Sequence, residues 1–155
     1  MKTLLLAWLL PLLPGPPPAG PPVLPPRLAG QWRQHAVAFM ARRVLTAEQQ
    51  AHLNDSTVAL LNTQLRQGRA AIVLTLLPAG GYRYARTGPA GAPTSEAGTC
   101  RLRRDTLYLR PEAPAQPALP PALRVVRLGR RVLVLEFPFG DPADKVAEQL
   151  LFRRE

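Results

Sequence analysis

The chain has 155 residues, a net charge of +10, and 18 arginines against two lysines. This length leaves room for one domain of ordinary size once a leader and a linker are subtracted. Cys100 is the only cysteine, so an intramolecular disulfide and a thiolate metal cluster within one chain are excluded, and His35 and His52 show no metal-binding spacing. The sequence therefore predicts no metal and no cofactor.

The positive charge is spread along the chain. Arginines recur from Arg33 to Arg153 over nearly every predicted element, in a chain that is also rich in Ala, Leu and Pro. This indicates a compositional bias as much as a selected charge. Nucleic-acid binders usually concentrate their basic residues on one element. A basic binder of nucleic acid or of anionic surfaces is therefore the rival function, and the pattern does not favour it.

Residues 1–20 have the composition of a secretory signal peptide. Lys2 precedes an apolar run ending near Leu13, which is shorter than the roughly 20 apolar residues that a membrane span needs. Residues 21–27 form a proline-rich linker, because proline cannot donate to a helix or a sheet. The sequence predicts an exported protein, periplasmic or secreted, with no transmembrane segment in its mature chain. An N-terminus made apolar by composition alone is the alternative.

Residues 28–155 contain the predicted folded domain, most of which is strand. Six apolar runs between residues 71 and 137 alternate with turns and pair as three hairpins, a pattern typical of an antiparallel meander. One strand precedes these runs, with a short helix as its alternative, and another strand follows them. The eight predicted strands cover residues 32–39, 71–77, 81–86, 98–102, 106–110, 122–128, 132–137 and 146–155.

A helix is predicted between the first and second strands. Thr46 and Gln49 form a capping box, and Gly68 is placed to end the helix. Residues 54–56 weaken its middle, so a break into two shorter helices is the alternative. Four leucines recur near helical spacing and would face the core: Leu53, Leu60, Leu61 and Leu65.

The Gly-x-Trp motif at residues 30–32, the helix after the first strand, the hairpins and the closing Phe152-x-Arg154 together resemble the small bacterial lipocalin-like domains. Further matching residues are Leu28, Gly98-Thr99, Asp105-Thr106-Leu107 and Leu150. Cys100 departs from the pattern, since these domains often carry a tryptophan there; its alternation with Leu102 predicts that it packs as a small hydrophobe. The resemblance implies a mainly β fold, an eight-stranded antiparallel up-and-down barrel with one helix between the first and second strands.

The resemblance also implies non-covalent binding of a small hydrophobic or amphipathic molecule outside the cytoplasm. An eight-stranded barrel either holds one small ligand or is filled by side chains. The size of the side chains favours a filled core, and long loops at residues 87–97 and 111–121 are candidate rims of an opening. The predicted ligand-lining residues are Val73, Tyr82, Tyr84, Leu107, Leu109, Leu133 and Leu135.

A structural role is expected for Trp32 and Arg154. In lipocalin-like barrels an arginine of the last strand covers a tryptophan of the first strand at the closed end, as a cation–π contact. Alternation along the last strand places Arg154 on the face of Phe152 and places Arg153 on the opposite face.

No catalytic residue is predicted. If Glu136 faced the barrel interior, burial would raise its pKa and make it a candidate general acid or base. Such a residue more often pairs with an arginine, and no paired carboxylates, nucleophile elbow or phosphate loop accompany it. A nucleophilic pair of Cys100 with a histidine is disfavoured against simple packing. We therefore expect a binding or structural protein rather than an enzyme.

Overall fold

The structure is a computed structural model. It describes residues 23–42, 44–47, 50–51, 56–89, 93–113, 117–140 and 145–155. The predicted signal peptide at residues 1–20 lies outside the described residues, so export stays a prediction. The elements are β1 Gly30–Ala41, α1 Ser56–Arg66, β2 Ala71–Leu76, β3 Gly81–Thr87, β4 Thr94–Arg103, β5 Thr106–Pro111, β6 Ala122–Leu128, β7 Val132–Pro138 and β8 Val146–Arg154.

Over the described residues, the eight strands close into a barrel in sequence order. Each strand pairs antiparallel with the next, and β8 returns to pair with β1 from Trp32↔Arg154 to Ala41↔Val146. The predicted eight-stranded up-and-down barrel, with a helix between β1 and β2, is therefore confirmed. Short turns join β2 to β3, β4 to β5 and β6 to β7 at one end of the barrel, and the long connections lie at the other end.

Strand β2 shows which face of the sheet forms the core. Ile72, Leu74 and Leu76 are buried and alternate with partly exposed residues. Because successive side chains of a strand point to opposite faces, Val73 lies on the outer face of the barrel. The prediction that Val73 faces the interior is wrong, because every residue of this run except Thr75 is apolar and its pattern does not distinguish the two faces.

Strand β1 is bent, and α1 completes its second half. A bulge lies between Gln34 and Ala36, and β1 pairs with β2 only at residues 30–33. Beyond the bulge, the Asn62 side chain of α1 takes the place of a neighbouring strand. Its Oδ1 accepts from the Val37 N–H at 2.7 Å and its Nδ2 donates to the Val37 carbonyl at 2.9 Å. Buried backbone groups need such partners, so Asn62 anchors the helix to the barrel.

Substituting Asn62 by Ala is expected to lower the free energy of unfolding by about 1 to 3 kcal/mol, because two strand-edge groups lose their partners. Urea denaturation measures the loss. Thr63→Ala is the control, since the Thr63 hydroxyl bonds the Ala59 carbonyl of its own helix at 2.9 Å. If Thr63→Ala lost as much stability as Asn62→Ala, the bonds of Asn62 to the edge of β1 would contribute no more than an ordinary hydrogen bond within the helix.

Helix α1 covers the second half of the predicted helix. In the first half Ala47, Gln50 and Ala51 are also helical, with the Gln50 N–H donating to the Thr46 carbonyl at 2.9 Å. Leu61 and Leu65 pack against the core as expected, whereas Leu60 is 57% exposed and its predicted inward position is wrong. Gly68 adopts φ +69° just beyond the helix, as expected for a residue that ends one. The residues Gln49 and Leu53 lie outside the described residues, so the capping box stays a prediction.

The closed end of the barrel is covered by the chain that precedes β1. Leu24 and Leu28 are buried in the core, and the Leu24 N–H donates to the Pro78 carbonyl at 2.9 Å. The predicted linker at residues 21–27 therefore includes a packed residue, and the folded part extends back to Leu24.

Strand β4 begins earlier than predicted. Residues 94–97 were expected to belong to a loop, yet Ser95 and Glu96 pair with Ala85 and Tyr84 of β3. Residues 94–97 have the mixed polar composition of a loop, because one face of this part of β4 is exposed to solvent, so the sequence pattern did not indicate a strand.

Candidate functional site

The closed end of the barrel is organised around Trp32. Its ring is fully buried, its Nε1 donates to the Leu28 carbonyl at 2.8 Å, and the Arg154 guanidinium lies 4.7 Å from the ring centroid. Arg154 Nη2 also donates to the carbonyls of Arg27 at 2.7 Å and Ala29 at 2.8 Å. Gly30, with φ +140°, permits this approach, since a Cβ there would lie 3.3 Å from Arg154 Nη2. This arrangement closes the barrel end and leaves no opening beside Trp32.

The middle of the barrel is filled by side chains. Leu107, Leu133 and Leu135 have no solvent-accessible surface, and Tyr82 and Leu109 are also buried in the same cluster. A side chain with no accessible surface borders no space large enough for water. These five predicted lining residues face the interior and pack against one another, so a ligand-lining role for them stays a prediction that needs the core to open.

The open end of the barrel is the end where the long connections lie, opposite to the end that Trp32 closes. A cavity of about 170 Å³ lies there. Leu61 of α1 borders it on one side, and residues 118–120 border it on another. Tyr84 is the predicted lining residue that the structure brings to it. The remaining lining residues are Gln34, Val37, Ile72, Arg86, Phe137, Glu148 and Leu150.

The segment at residues 117–121 is fastened over this cavity by Glu96. The Glu96 carboxylate accepts from the Tyr82 hydroxyl at 2.6 Å through Oε1 and from the Ala118 N–H at 2.6 Å through Oε2. The Leu109 N–H donates to the Pro121 carbonyl at 2.8 Å, and Leu119 is buried. The loop at residues 111–121, a predicted rim, thus contributes a wall of the cavity.

The cavity combines apolar walls with a few polar groups. Burial raises the pKa of the Tyr84 hydroxyl and of the Glu148 carboxyl above their ordinary values. Gln34 is buried, and its Nε2 makes one long bond of 3.5 Å to the Ala36 carbonyl. Among the described residues, neither the Tyr84 hydroxyl nor the Glu148 carboxyl has a hydrogen-bond partner. The cavity therefore offers donors and acceptors to a bound molecule.

Sequence reasoning missed Glu148 and Leu119, although each carried a signal. Glu148 lies two residues before Leu150, which belongs to the buried core, so period-2 alternation along β8 places both side chains on the inner face. Leu119 is the one large apolar side chain in the Pro- and Ala-rich loop at residues 111–121. An isolated leucine in such a loop is a candidate for packing against a core.

Glu136 lies on the outer face of the barrel, opposite to Leu135. It is buried beneath Arg42 and Arg124, and all three line an external cleft. Burial alone would raise the pKa of Glu136, but hydrogen bonds from Gln149 and Arg124 and the charges of Arg124 and Arg42 outweigh it and lower the pKa. The inward position considered for Glu136 is wrong, and the expected pairing with arginine is present.

Glu136→Gln is expected to reduce stability by about 1 to 3 kcal/mol near neutral pH. Because the folded pKa lies below its ordinary value of 4.5, this contribution is present above pH 4.5 and is lost as the pH falls through the folded pKa. Denaturation curves should therefore show the difference from the parent protein shrinking as the pH falls below 4.5. Glu112→Gln, on an exposed residue, is the control; a difference for Glu136→Gln that stays constant down to the lowest pH contradicts this account.

Cys100 packs as predicted. It is buried, its Sγ donates to the Gly81 carbonyl at 3.4 Å, and burial raises the pKa of its thiol to about 11. His35 lies on β1, and His52 is outside the described residues. In the part of the chain that the structure describes, no three His, Cys, Asp or Glu side chains gather closely enough to hold a metal ion. No described helix has the length and apolar character that crossing a membrane requires.

The barrel is similar to several solved bacterial structures. A lipocalin-like protein from Bacteroides uniformis is 15% identical, with a TM-score of 0.48, over 83% of this chain and 99% of that one. The closed eight-stranded antiparallel barrel of this chain is established by its own strand order and register. The lipoprotein YedD from Klebsiella pneumoniae is 13% identical, with a TM-score of 0.44, over 86% of this chain and 76% of that one. An uncharacterized protein from Bacteroides eggerthii is 11% identical, with a TM-score of 0.46, over 82% of this chain and 98% of that one.

No protein-family model matches the chain, and no curated protein matches it. At these levels of identity and TM-score the likeness carries no argument about what the protein does. What this barrel does must therefore be argued from its own cavities and side chains.

Proposed function

We propose that the open-end cavity binds a small hydrophobic or amphipathic molecule non-covalently. The observation that supports this most is the cavity of about 170 Å³ beneath α1 and Leu119, in a barrel whose other interior positions are packed. Apolar walls would hold the body of the ligand, and the Tyr84 hydroxyl and Glu148 carboxyl would bind a polar group on it. The protein is non-catalytic in this proposal.

The size of the cavity limits the ligand. A cavity of about 150 Å³ lined by apolar side chains is large enough for benzene, and this cavity is of similar volume. The ligand is therefore a molecule of about one ring, or a chain end of that volume, carrying at least one hydrogen-bonding group. Export of the protein, supported by the leader-like composition of residues 1–20, would place this binding in the periplasm or outside the cell.

NMR titration with benzyl alcohol and with toluene tests the proposal. Saturable shifts are expected at Leu61, Leu119 and Leu150. Leu61→Trp should weaken binding of benzyl alcohol at least tenfold, because the indole fills the cavity. Leu60→Trp is the matched control: it adds the same bulk one residue earlier on α1, at a side chain that is 57% exposed. Equal weakening by both variants, or no saturable shifts, would overturn the proposal.

The rival function is binding of nucleic acid or an anionic surface. One observation favours it: Tyr108 is exposed on β5 with the Arg101 guanidinium 5.6 Å from its ring centroid, an arrangement suited to stacking on a base. Binding to single-stranded DNA that weakens steeply as salt rises from 50 to 200 mM would support the rival, because counterion release drives such association. If Tyr108→Ala bound single-stranded DNA as tightly as the parent protein, stacking of a base on Tyr108 would not contribute to binding.

A further inference from the structure

A second cavity lies on the outer face of the barrel, on the side of the wall that carries Glu136. Its volume is about 480 Å³, and it lies between the ends of β1 and β8 and the outer faces of β6 and β7. Its charged lining residues are Arg42, Arg124, Lys145 and Glu136. The cleft is separate from the open-end cavity, although Phe137 lies in the wall between them.

The two arginines of this cleft are held in place by one carboxylate. Glu136 Oε1 accepts from Arg42 Nη2 at 2.8 Å and also from Arg124 Nη2, and its Oε2 accepts from Gln149 at 2.8 Å. Each guanidinium has five donors, and both side chains are about half exposed, so donors remain for a ligand. Fixing the arginines beforehand lowers the entropy cost of binding an anion.

The charge of the cleft is not balanced. Among its described lining residues, Arg42, Arg124 and Lys145 supply three positive charges and Glu136 supplies one negative charge. Two positive charges therefore remain in excess, beside a surface where an anion would be partly shielded from water. Guanidinium groups bind carboxylate and phosphate oxygens through paired hydrogen bonds.

Apart from Thr106, the uncharged lining residues of the cleft are apolar. Val146 and Ala147 are buried in its wall, and Ala122 and Pro138 complete the apolar side. An ion alone would leave this surface uncovered. A ligand with an apolar body next to its charged group would cover this apolar surface, and removing the surface from water would add to the binding free energy.

We propose that this outer cleft binds a small soluble amphipathic anion, a carboxylate or phosphate attached to an apolar body of about one ring. The anionic group lies against Arg42, Arg124 and Lys145, and the apolar body lies on Val146 and Ala147. The site is independent of the open-end cavity and adds a second ligand class to the same barrel.

Binding of phenyl phosphate, followed by NMR at the backbone amides of Val146 and Ala147, tests the proposal. Saturable shifts are expected for the parent protein. Arg42→Gln should weaken binding about tenfold, and Lys145→Gln, which leaves the bonds to Glu136 intact, should weaken it at least threefold. The control is Arg127→Gln, which removes one exposed positive charge of β6 that does not line the cleft; it should change binding less than 1.5-fold.

Two comparison ligands separate the parts of the proposal. Inorganic phosphate should bind at least fivefold more weakly than phenyl phosphate, and phenol, which has no anionic group at neutral pH, should not shift Val146 or Ala147. Leu61→Trp, which fills the open-end cavity, should leave phenyl phosphate binding unchanged. Equal effects of Arg42→Gln and Arg127→Gln would mean diffuse attraction to a basic protein and would overturn the proposal. Equal affinity for phosphate and phenyl phosphate would overturn the ligand class.

Discussion

Gly98→Ala is expected to destabilise the barrel by at least about 3 kcal/mol. A Cβ at this position of β4 would lie 2.7 Å from Tyr82 Cε1 and 2.8 Å from Pro111 Cα, and would also meet the Arg110 carbonyl. Two of these three neighbours are backbone atoms of β5, so they cannot rotate away. The strand pairing of β4 with β5 would have to shift, and chemical denaturation would measure the resulting loss of unfolding free energy.

Gly129→Ala is the matched control for this prediction. Gly129 lies in the turn between β6 and β7, and a Cβ there would meet the Val132 carbonyl oxygen at an ordinary contact distance of 3.7 Å. Its substitution should change stability by less than about 1 kcal/mol. If both alanine variants lost the same stability, the close approach of β4 and β5 at Gly98 would not be what requires glycine there.

Arg154→Ala is expected to lower the free energy of unfolding by about 2 to 3 kcal/mol. The variant loses the cation–π contact with Trp32 and the bonds from Nη2 to the carbonyls of Arg27 and Ala29. It also uncovers a ring that is fully buried in the parent protein. Thermal denaturation followed by near-UV circular dichroism would record both the loss of stability and the changed environment of the indole.

Arg153→Ala removes the neighbouring side chain and the same charge. Arg153 is exposed on the outer face of β8, so its loss should change the unfolding free energy by less than about 0.5 kcal/mol. A drop in melting temperature as large as that of Arg154→Ala would show that the arginine over Trp32 has no special structural role.

The sequence predicted the strands well because their turns and alternation are local features. The hairpin turns at residues 78–81, 103–105 and 129–131 fall within a residue or two of the turns in the structure. Tyr82 and Tyr84 alternate with exposed residues on β3, and the structure buries both. Local patterns of this kind survive in the fold because side chains must alternate along a strand.

The sequence could not show which face points inward where both faces are apolar. On β7, Leu133 and Leu135 alternate with Val132 and Val134, so either set could form the core. Pairing with Phe152 and Leu150 of β8 places the leucines inside, and Glu136 is therefore outside. Val73 on β2 was misplaced for the same reason. Such assignments depend on contacts between distant strands, which periodicity within one strand does not contain.

The open-end cavity was even less accessible to sequence reasoning. It forms where Leu61 of α1, Leu119 of a loop and Glu148 of β8 meet, and these residues are far apart in the chain. The sequence did indicate the loop at residues 111–121 as a rim and Tyr84 as a lining residue. It could not indicate that Asn62 would bond to Val37 and so fix the helix over the opening.

The closed half of the barrel is solid, and we propose that ligand space lies at its open end. A crystal structure under xenon pressure tests this most directly, because xenon occupies apolar cavities of about 150 Å³. We predict xenon between Leu61, Leu119 and Leu150, and no xenon among Leu107, Leu133 and Leu135. Xenon within the leucine core would show that ligand space is not confined to the open end, and an open-end cavity that stays empty under pressure would contradict the proposal that it lies there.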